Sequence, residues 1–194
     1  MSKLYFRYGA MNSGKSTHLM QVAHNYKERG MNVLLLKPST DKKGGEKLVS
    51  RLGVERKVDI LVENNDNIFD EVKIWHEKKE KIDCLLVDEV QFLKSEQIDQ
   101  LFDVAVALDI PVICYGLRTD FRTQGFDGST RLLLIAHTIE EMKTICKCGR
   151  KALFNGRKIN GKFVFEGEQI AIDNIDNVEY ESLCGHCFFK YKDN

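Results

Sequence analysis

Eight residues near the start, Gly9-Ala10-Met11-Asn12-Ser13-Gly14-Lys15-Ser16, constrain this chain more than any other stretch. They have the spacing of a phosphate-binding loop, with two glycines framing four residues and a Lys-Ser ending. The flanks agree. Lys3 to Tyr8 is short and apolar-rich, which predicts a buried strand, and Lys15 to Arg29 carries Leu19, Val22, Ala23 and Tyr26 at helical spacing. Strand, glycine loop and helix together bring backbone N–H groups and the positive helix end onto phosphate oxygens. Gly9 and Gly14 allow backbone conformations that side chains would block. Lys15 reaches the β- and γ-phosphates, and the Ser16 hydroxyl is placed for Mg²⁺. A plain glycine turn would not require the Lys-Ser ending.

Downstream, apolar runs alternate with amphipathic ones. Strands are expected at Asn32 to Lys37, Asp59 to Glu63, Ile82 to Val87 and Pro111 to Tyr115. Helices are expected at Asn67 to Lys81, from Ser95 as N-cap through Leu108, and at Ser129 to Glu141. This alternation means an α/β unit with a mainly parallel sheet flanked by helices. Ser39 to Lys47 is a polar, glycine-bearing loop. Gly116 to Gly128 breaks the rhythm with three glycines, two arginines and two phenylalanines, in the place where α/β sheets collect ligand contacts. From Lys143 onward the character changes to cysteine pairs, short strands and turns.

Charge narrows the function classes. Lys+Arg and Asp+Glu both number 29, so the formal net charge is zero and no electrostatic footprint for nucleic acid or an anionic membrane exists. There is no apolar run of the 18 or so residues that a membrane span needs, nor an apolar signal segment at the start, so the expectation is a soluble cytoplasmic protein. Six cysteines in that setting point to metal or core roles before disulfides.

Asp88-Glu89 closes the apolar strand Ile82 to Val87, the position of a metal-holding aspartate in a phosphate-loop protein. If the strand pleat continues, Glu89 points away from Asp88, toward a substrate, and can take a proton from an incoming hydroxyl or from water. The pair does not choose between a kinase and an ATPase. Cys146-Lys147-Cys148 and Cys184-Gly185-His186-Cys187 form two close pairs with 35 residues between them. Four thiolates suit a closed tetrahedral zinc site, which is structural; His186 is an alternative ligand to Cys187. Cys84 and Cys114 lie inside expected strands and read as core. His18, His24, His76 and His137 have no partners at ligand spacing and read as surface or packing residues.

The residues that carry these signals also resemble a known family, the cellular-type (type II) thymidine kinases. The resemblance runs from end to end through GAMNSGKST (9–17), VDEVQF (87–92), YGLRTDF (115–121), KTICKCGRKA (143–152), EGEQ (166–169) and the last cysteine pair. It implies a RecA-like P-loop unit over residues 1–142 and a small zinc-binding, β-rich lasso domain over 143–194. It also implies transfer of a phosphoryl group from ATP to the 5′-hydroxyl of thymidine, with Glu89 as general base. Gly9, Ala10, Met11, Asn12, Ser13, Gly14, Lys15 and Ser16, together with Asp88, Glu89, Val90 and Gln91, would bind the nucleotide, with magnesium on Ser16 and Asp88. Met11, Phe92, Leu117, Phe121 and Phe126 would line the nucleoside pocket. Ile170, Ala171, Ile172, Asp173 and Asn174, closed by Tyr180, would form a lasso whose backbone grips the thymine imide edge. Asp41 and Arg51 match acidic and basic positions near the reacting hydroxyl. Many relatives have Gly-Gly where Asp173-Asn174 stand, and the turn to Tyr180 is two residues longer here. The resemblance further implies a homotetramer and thymidine triphosphate as feedback inhibitor. Two other classes stay open on motifs alone: a P-loop ATPase whose zinc module grips nucleic acid, against which the neutral charge argues, and a nucleotide sensor, which would not need Glu89.

Overall fold

Burial on both faces shapes the large sheet. Its strands are β1 (Leu4–Tyr8), β2 (Val33–Pro38), β5 (Ile60–Val62), β6 (Cys84–Val87), β7 (Val112–Gly116) and β8 (Thr138–Glu141), in the order β5-β2-β6-β7-β1-β8. Every neighbouring pair is parallel. Strands covered on both sides read as unbroken apolar runs rather than alternating ones, and LeuLeuLeu in β2 shows why. Leu34 and Leu36 enter the core on one face and Leu35 the core on the other. The computed structural model describes residues 1–40, 47–49, 55–78, 80–169 and 177–193, with 47–49 and 55 described by backbone alone.

The helices divide unequally. α2 (Ile68–Lys78), α3 (Ser95–Ala107) and α4 (Asp127–Ile135) bring Ile68, Val72, Ile98, Leu101, Val104 and Leu132 to one face of the sheet. α1 (Lys15–Glu28) brings Leu19, Met20 and Ala23 to the other face, against Leu35, Leu86 and Ile113. Because all six strands run the same way, the loops after β1, β6 and β7 emerge at one edge, where ligands bind in open α/β sheets. Three of the expected functional stretches are these loops.

The C-terminal part is built on short antiparallel pairs. β9 (Thr144–Ile145) pairs with β10 (Lys151–Ala152), and β11 (Phe154–Ile159) lies between β12 (Lys162–Val164) and β13 (Val178–Leu183). α5 (Gly185–Lys192) follows, capped by the Cys184 sulfur, which accepts from Cys187 N–H. A separate small core holds Cys146, Ala152, Leu183, Cys184 and Phe188. A further hairpin, β3 (Lys47–Val49) with β4 (Glu55–Lys57), sits between β2 and β5 in the chain.

Three expectations need correction. The helix expected over Ser129 to Glu141 ends at Ile135, and Thr138–Glu141 is instead a parallel edge strand on β1. Its β-branched Thr138-Ile139 suits a strand, and pairing with β1 overrides the helical periodicity. Ser95 is the first residue of α3, not its cap; Lys94 takes the cap position, and Ser95 donates through N and Oγ to Asp127 at 2.7 Å each. The strand before Asp88 begins at Cys84 and stops at Val87, so no pleat continues through Glu89. Cys84 and Cys114 are fully buried, as expected. Among the described residues no helix is long and apolar enough to cross a membrane.

Candidate functional site

The two glycines of the phosphate loop are needed for different reasons. Gly14 sits at φ +78°, a left-handed conformation that opens α1 and favours glycine. Gly9 is crowded: a Cβ there would lie 2.4 Å from the Met142 carbonyl oxygen and 2.4 Å from Ser13 Oγ. Lys15 is buried, and its ammonium donates to the Gly9 and Ala10 carbonyls at 3.2 and 3.0 Å, which places its charge inside the loop. Ser16 follows in the first turn of α1. One helical turn on, His18 Nδ1 lies 2.9 Å from the Tyr115 hydroxyl, which also accepts from Arg7. Burial, then the Arg7 charge, holds this imidazole below its ordinary pKa, and burial pushes the Tyr115 phenol up to about 12. His18 is an exposed residue on α1 that bonds Tyr115, the surface alternative of the sequence reading.

Asp88 is buried at the end of β6, and its N–H donates to Leu36 O across the sheet at 3.0 Å. Glu89 then turns the chain. It stands at φ 47°, ψ 38°, the left-handed region, and starts a short 3-10 turn over Val90–Phe92. A non-glycine residue there costs about 1–3 kcal/mol and persists where its surroundings fix it. The surroundings are visible. Gln91, buried in the turn, donates from Nε2 to the Glu89 carboxylate at 2.5 Å, and its Oε1 accepts from Leu117 N–H at 3.1 Å. The backbone turn at Glu89 and the Gln91 tether, rather than strand alternation, thus set the geometry that follows Asp88.

The loop after β7 is a small hairpin built on a carboxylate. Thr119 and Gly125 form a bridge, and buried Asp120 accepts from Arg122 N and Gln124 N at 2.8 and 2.9 Å. The Arg122 guanidinium adds two bonds to the same carboxylate, at 2.9 and 2.8 Å. Leu117, Phe121 and Phe126 are all buried, and Phe126 meets the half-buried Phe92 edge-on at 5.7 Å between centroids. Phe121 lies under the Arg157 guanidinium, 3.7 Å from its ring centroid, and Arg157 Nε donates to the Tyr180 hydroxyl at 3.0 Å. Of the expected lasso, Ile170, Ala171, Ile172, Asp173 and Asn174 lie outside the described residues, as do Asp41 and Arg51.

Several residues here were not singled out by sequence. Arg157, buried in β11, donates to Glu168 O at 2.8 Å and Gln169 O at 2.9 Å, while Arg122 reaches Gly167 O at 2.9 Å. Two arginines thus hold the backbone of residues 167–169. Asn155, also in β11, bonds both Met11 and Thr119. One signal was present. Asn-Gly is the usual hairpin-turn pair, yet Asn155-Gly156 sits inside a strand, where Gly156 lets Leu183 and Phe163 approach. Charge-assisted bonds contribute about 1.5–3 kcal/mol each. Arg157→Ala should therefore speed amide hydrogen exchange across 166–169 by about tenfold or more; unchanged exchange there would show that the guanidinium does not hold the stem.

The four cysteines converge. The sulfurs of Cys146, Cys148, Cys184 and Cys187 all lie within 4.8 Å of one another. A tetrahedral ion with Zn–S bonds of about 2.3 Å sets its sulfurs about 3.8 Å apart, so the donor set fits zinc with little adjustment. The sulfurs share their protons: the Cys187 backbone N–H is the main group that lowers the Cys184 thiol, and the neighbouring sulfurs, Cys148 first, raise that of Cys187.

Comparison with known proteins agrees with this architecture. The family model described as thymidine kinase matches residues 2–188. Thymidine kinase of Haemophilus influenzae is 49% identical over 186 residues, covering 95% of this chain and 94% of that protein. The Shewanella oneidensis thymidine kinase is 46% identical over 193 residues, covering 98% of each chain. That of Enterobacteria phage T4 is 46% identical over 187 residues, covering 95% and 94%. A match of this length and identity, over a phosphate loop, a tethered acid pair and a four-cysteine cluster, places the chain in the thymidine kinase family.

Proposed function

We propose that this chain is an ATP-dependent thymidine kinase, transferring the γ-phosphoryl group of ATP to the 5′-hydroxyl of thymidine. The observation that carries the reading is the Gln91 bridge, which fixes the Glu89 carboxylate with one end and the start of the loop at Leu117 with the other. An acid tied to an acceptor-binding loop suits a kinase, because the base must face the incoming alcohol rather than bulk water. In this reading residues 1–142 form the kinase unit and 143–194 the zinc-binding unit. The loop from Gly9 to Ser16 holds the phosphates, with Lys15 against the β- and γ-groups and the stretch Asp88 to Gln91 alongside. Ser16 and Asp88 are the residues that would hold Mg²⁺, which would offset the negative charge of the phosphates. Glu89 accepts the 5′-hydroxyl proton as the oxygen attacks phosphorus. Leu117, Phe121, Phe126, Phe92, Met11 and Tyr180 enclose the nucleoside, and their apolar surfaces keep out the water that would otherwise compete as acceptor. Thymidine triphosphate would occupy the same pocket as a feedback inhibitor.

ADP release measured with thymidine, with single-stranded DNA, and with neither tests the reading. Release that rises with thymidine alone is the expected result. Release that rises with DNA, or that proceeds equally without any acceptor, would replace the kinase with an ATPase.

A further inference from the structure

The phosphate loop is gripped from outside by the cysteine-bearing part of the chain. Met11 N–H donates to Asn155 Oδ1 at 2.7 Å, and Met11 O accepts from the Ser182 hydroxyl. Thr144 Oγ1 donates to Asn12 O at 3.3 Å. These three side chains come from β11, β13 and β9, and Asn155 and Ser182 are buried. Asn155 does one thing more. Its Nδ2 donates to Thr119 O at 3.2 Å, in the loop after β7. A single buried amide therefore uses its acceptor on the phosphate loop and its donor on the hairpin that carries Phe121 and Phe126.

We propose that Asn155 is a positioning residue that couples the nucleotide and nucleoside sites, so that filling one tightens the other. The proposal rests on the reading above, in which nucleotide lies on residues 9–16 and nucleoside against 117–126. Asn12, next to Met11, stands at φ +65°, so this half of the loop has a narrow set of conformations to choose from. Ordering Met11 by nucleotide holds the Asn155 amide, and the held amide orders Thr119 without further loss of freedom. Such coupling is reciprocal: each ligand changes the other's affinity by the same factor. Asn155 touches the backbone of both loops, so its effect does not depend on which side chains line the pocket.

The test measures ADP binding by calorimetry with and without saturating thymidine, and thymidine binding with and without ADP. ADP lacks the transferred phosphoryl group, which minimises direct contact between the ligands. In the unaltered protein each ligand should tighten the other by about fivefold or more. Asn155→Ala should bring that factor to about one. Asn155→Asp keeps an acceptor for Met11 and loses the donor to Thr119, so it should lose the coupling, while its added charge beside the phosphate loop weakens ADP with and without thymidine alike. Ser182→Ala should weaken ADP alone and keep the coupling. A variant at Asn155 that binds both ligands with the unaltered factor overturns the proposal, as does an unaltered protein that binds both independently. Failure of the unaltered protein to bind thymidine at all would overturn the functional reading instead.

Discussion

Glu89→Gln should keep or tighten ADP binding, since it removes a negative charge beside the phosphates, and lower thymidine phosphorylation by about 10²-fold or more, the span of general-base effects. The substitution removes the charge and the proton-accepting oxygen while keeping size and shape. Gln91 Nε2, now 2.5 Å from the Glu89 carboxylate, can donate equally to the amide oxygen of a glutamine, so the tether survives. The backbone conformation at position 89 is no harder for glutamine than for glutamate. Loss of activity would therefore report chemistry rather than folding. The measurement is kcat for thymidine-dependent ADP formation, set beside the ADP dissociation constant. Near-full turnover in this variant would remove Glu89 from the mechanism.

Removal of zinc should unfold the C-terminal part first. The small core there has few buried members, with Cys146 and Cys184 among them, so its apolar burial alone is slight. Structural zinc contributes about 10 kcal/mol or more to small modules, far above what that core can replace. Chelation, or Cys148→Ser, should speed hydrogen exchange across 144–169 and 177–190 by orders of magnitude. β6 and β7, buried at the centre of the large sheet, should keep their protection. Metal analysis gives the second readout, with one zinc per chain in freshly prepared protein. Exchange that is unchanged after chelation, or active protein without zinc, would make the cysteine cluster a thiol packing site.

The phosphate loop, the parallel sheet and the cysteine cluster were legible because each has a local cause. A strand buried on both faces reads as an unbroken apolar run, as β6 and β7 do; β2 does so as far as Leu36 and then buries Lys37. A closed metal site needs its ligands in close pairs, and the cysteines come in pairs. What escaped was set by distant partners. Thr138–Glu141 continues an apolar helical pattern and becomes a strand because β1 offers it an edge. Asn155-Gly156 looks like a turn and is held in a strand by β13 on one side and the phosphate loop on the other. Arg157 looks like a surface charge in FNGRKI, and is buried because the stem carbonyls at Glu168 and Gln169 need donors. The carboxylate at Glu89 was recognised by its neighbour Asp88, but its tether, Gln91, is itself held by Leu117 from another loop.

The left-handed backbone at Glu89 has a consequence for how this family can be made sturdier. Glycine would relax that residue, so a search for heat resistance alone would favour losing the acid. On the kinase reading, the fold gives up about 1–3 kcal/mol of durability at one position to keep the proton-accepting group aimed. Gains in robustness must then come from positions other than 89.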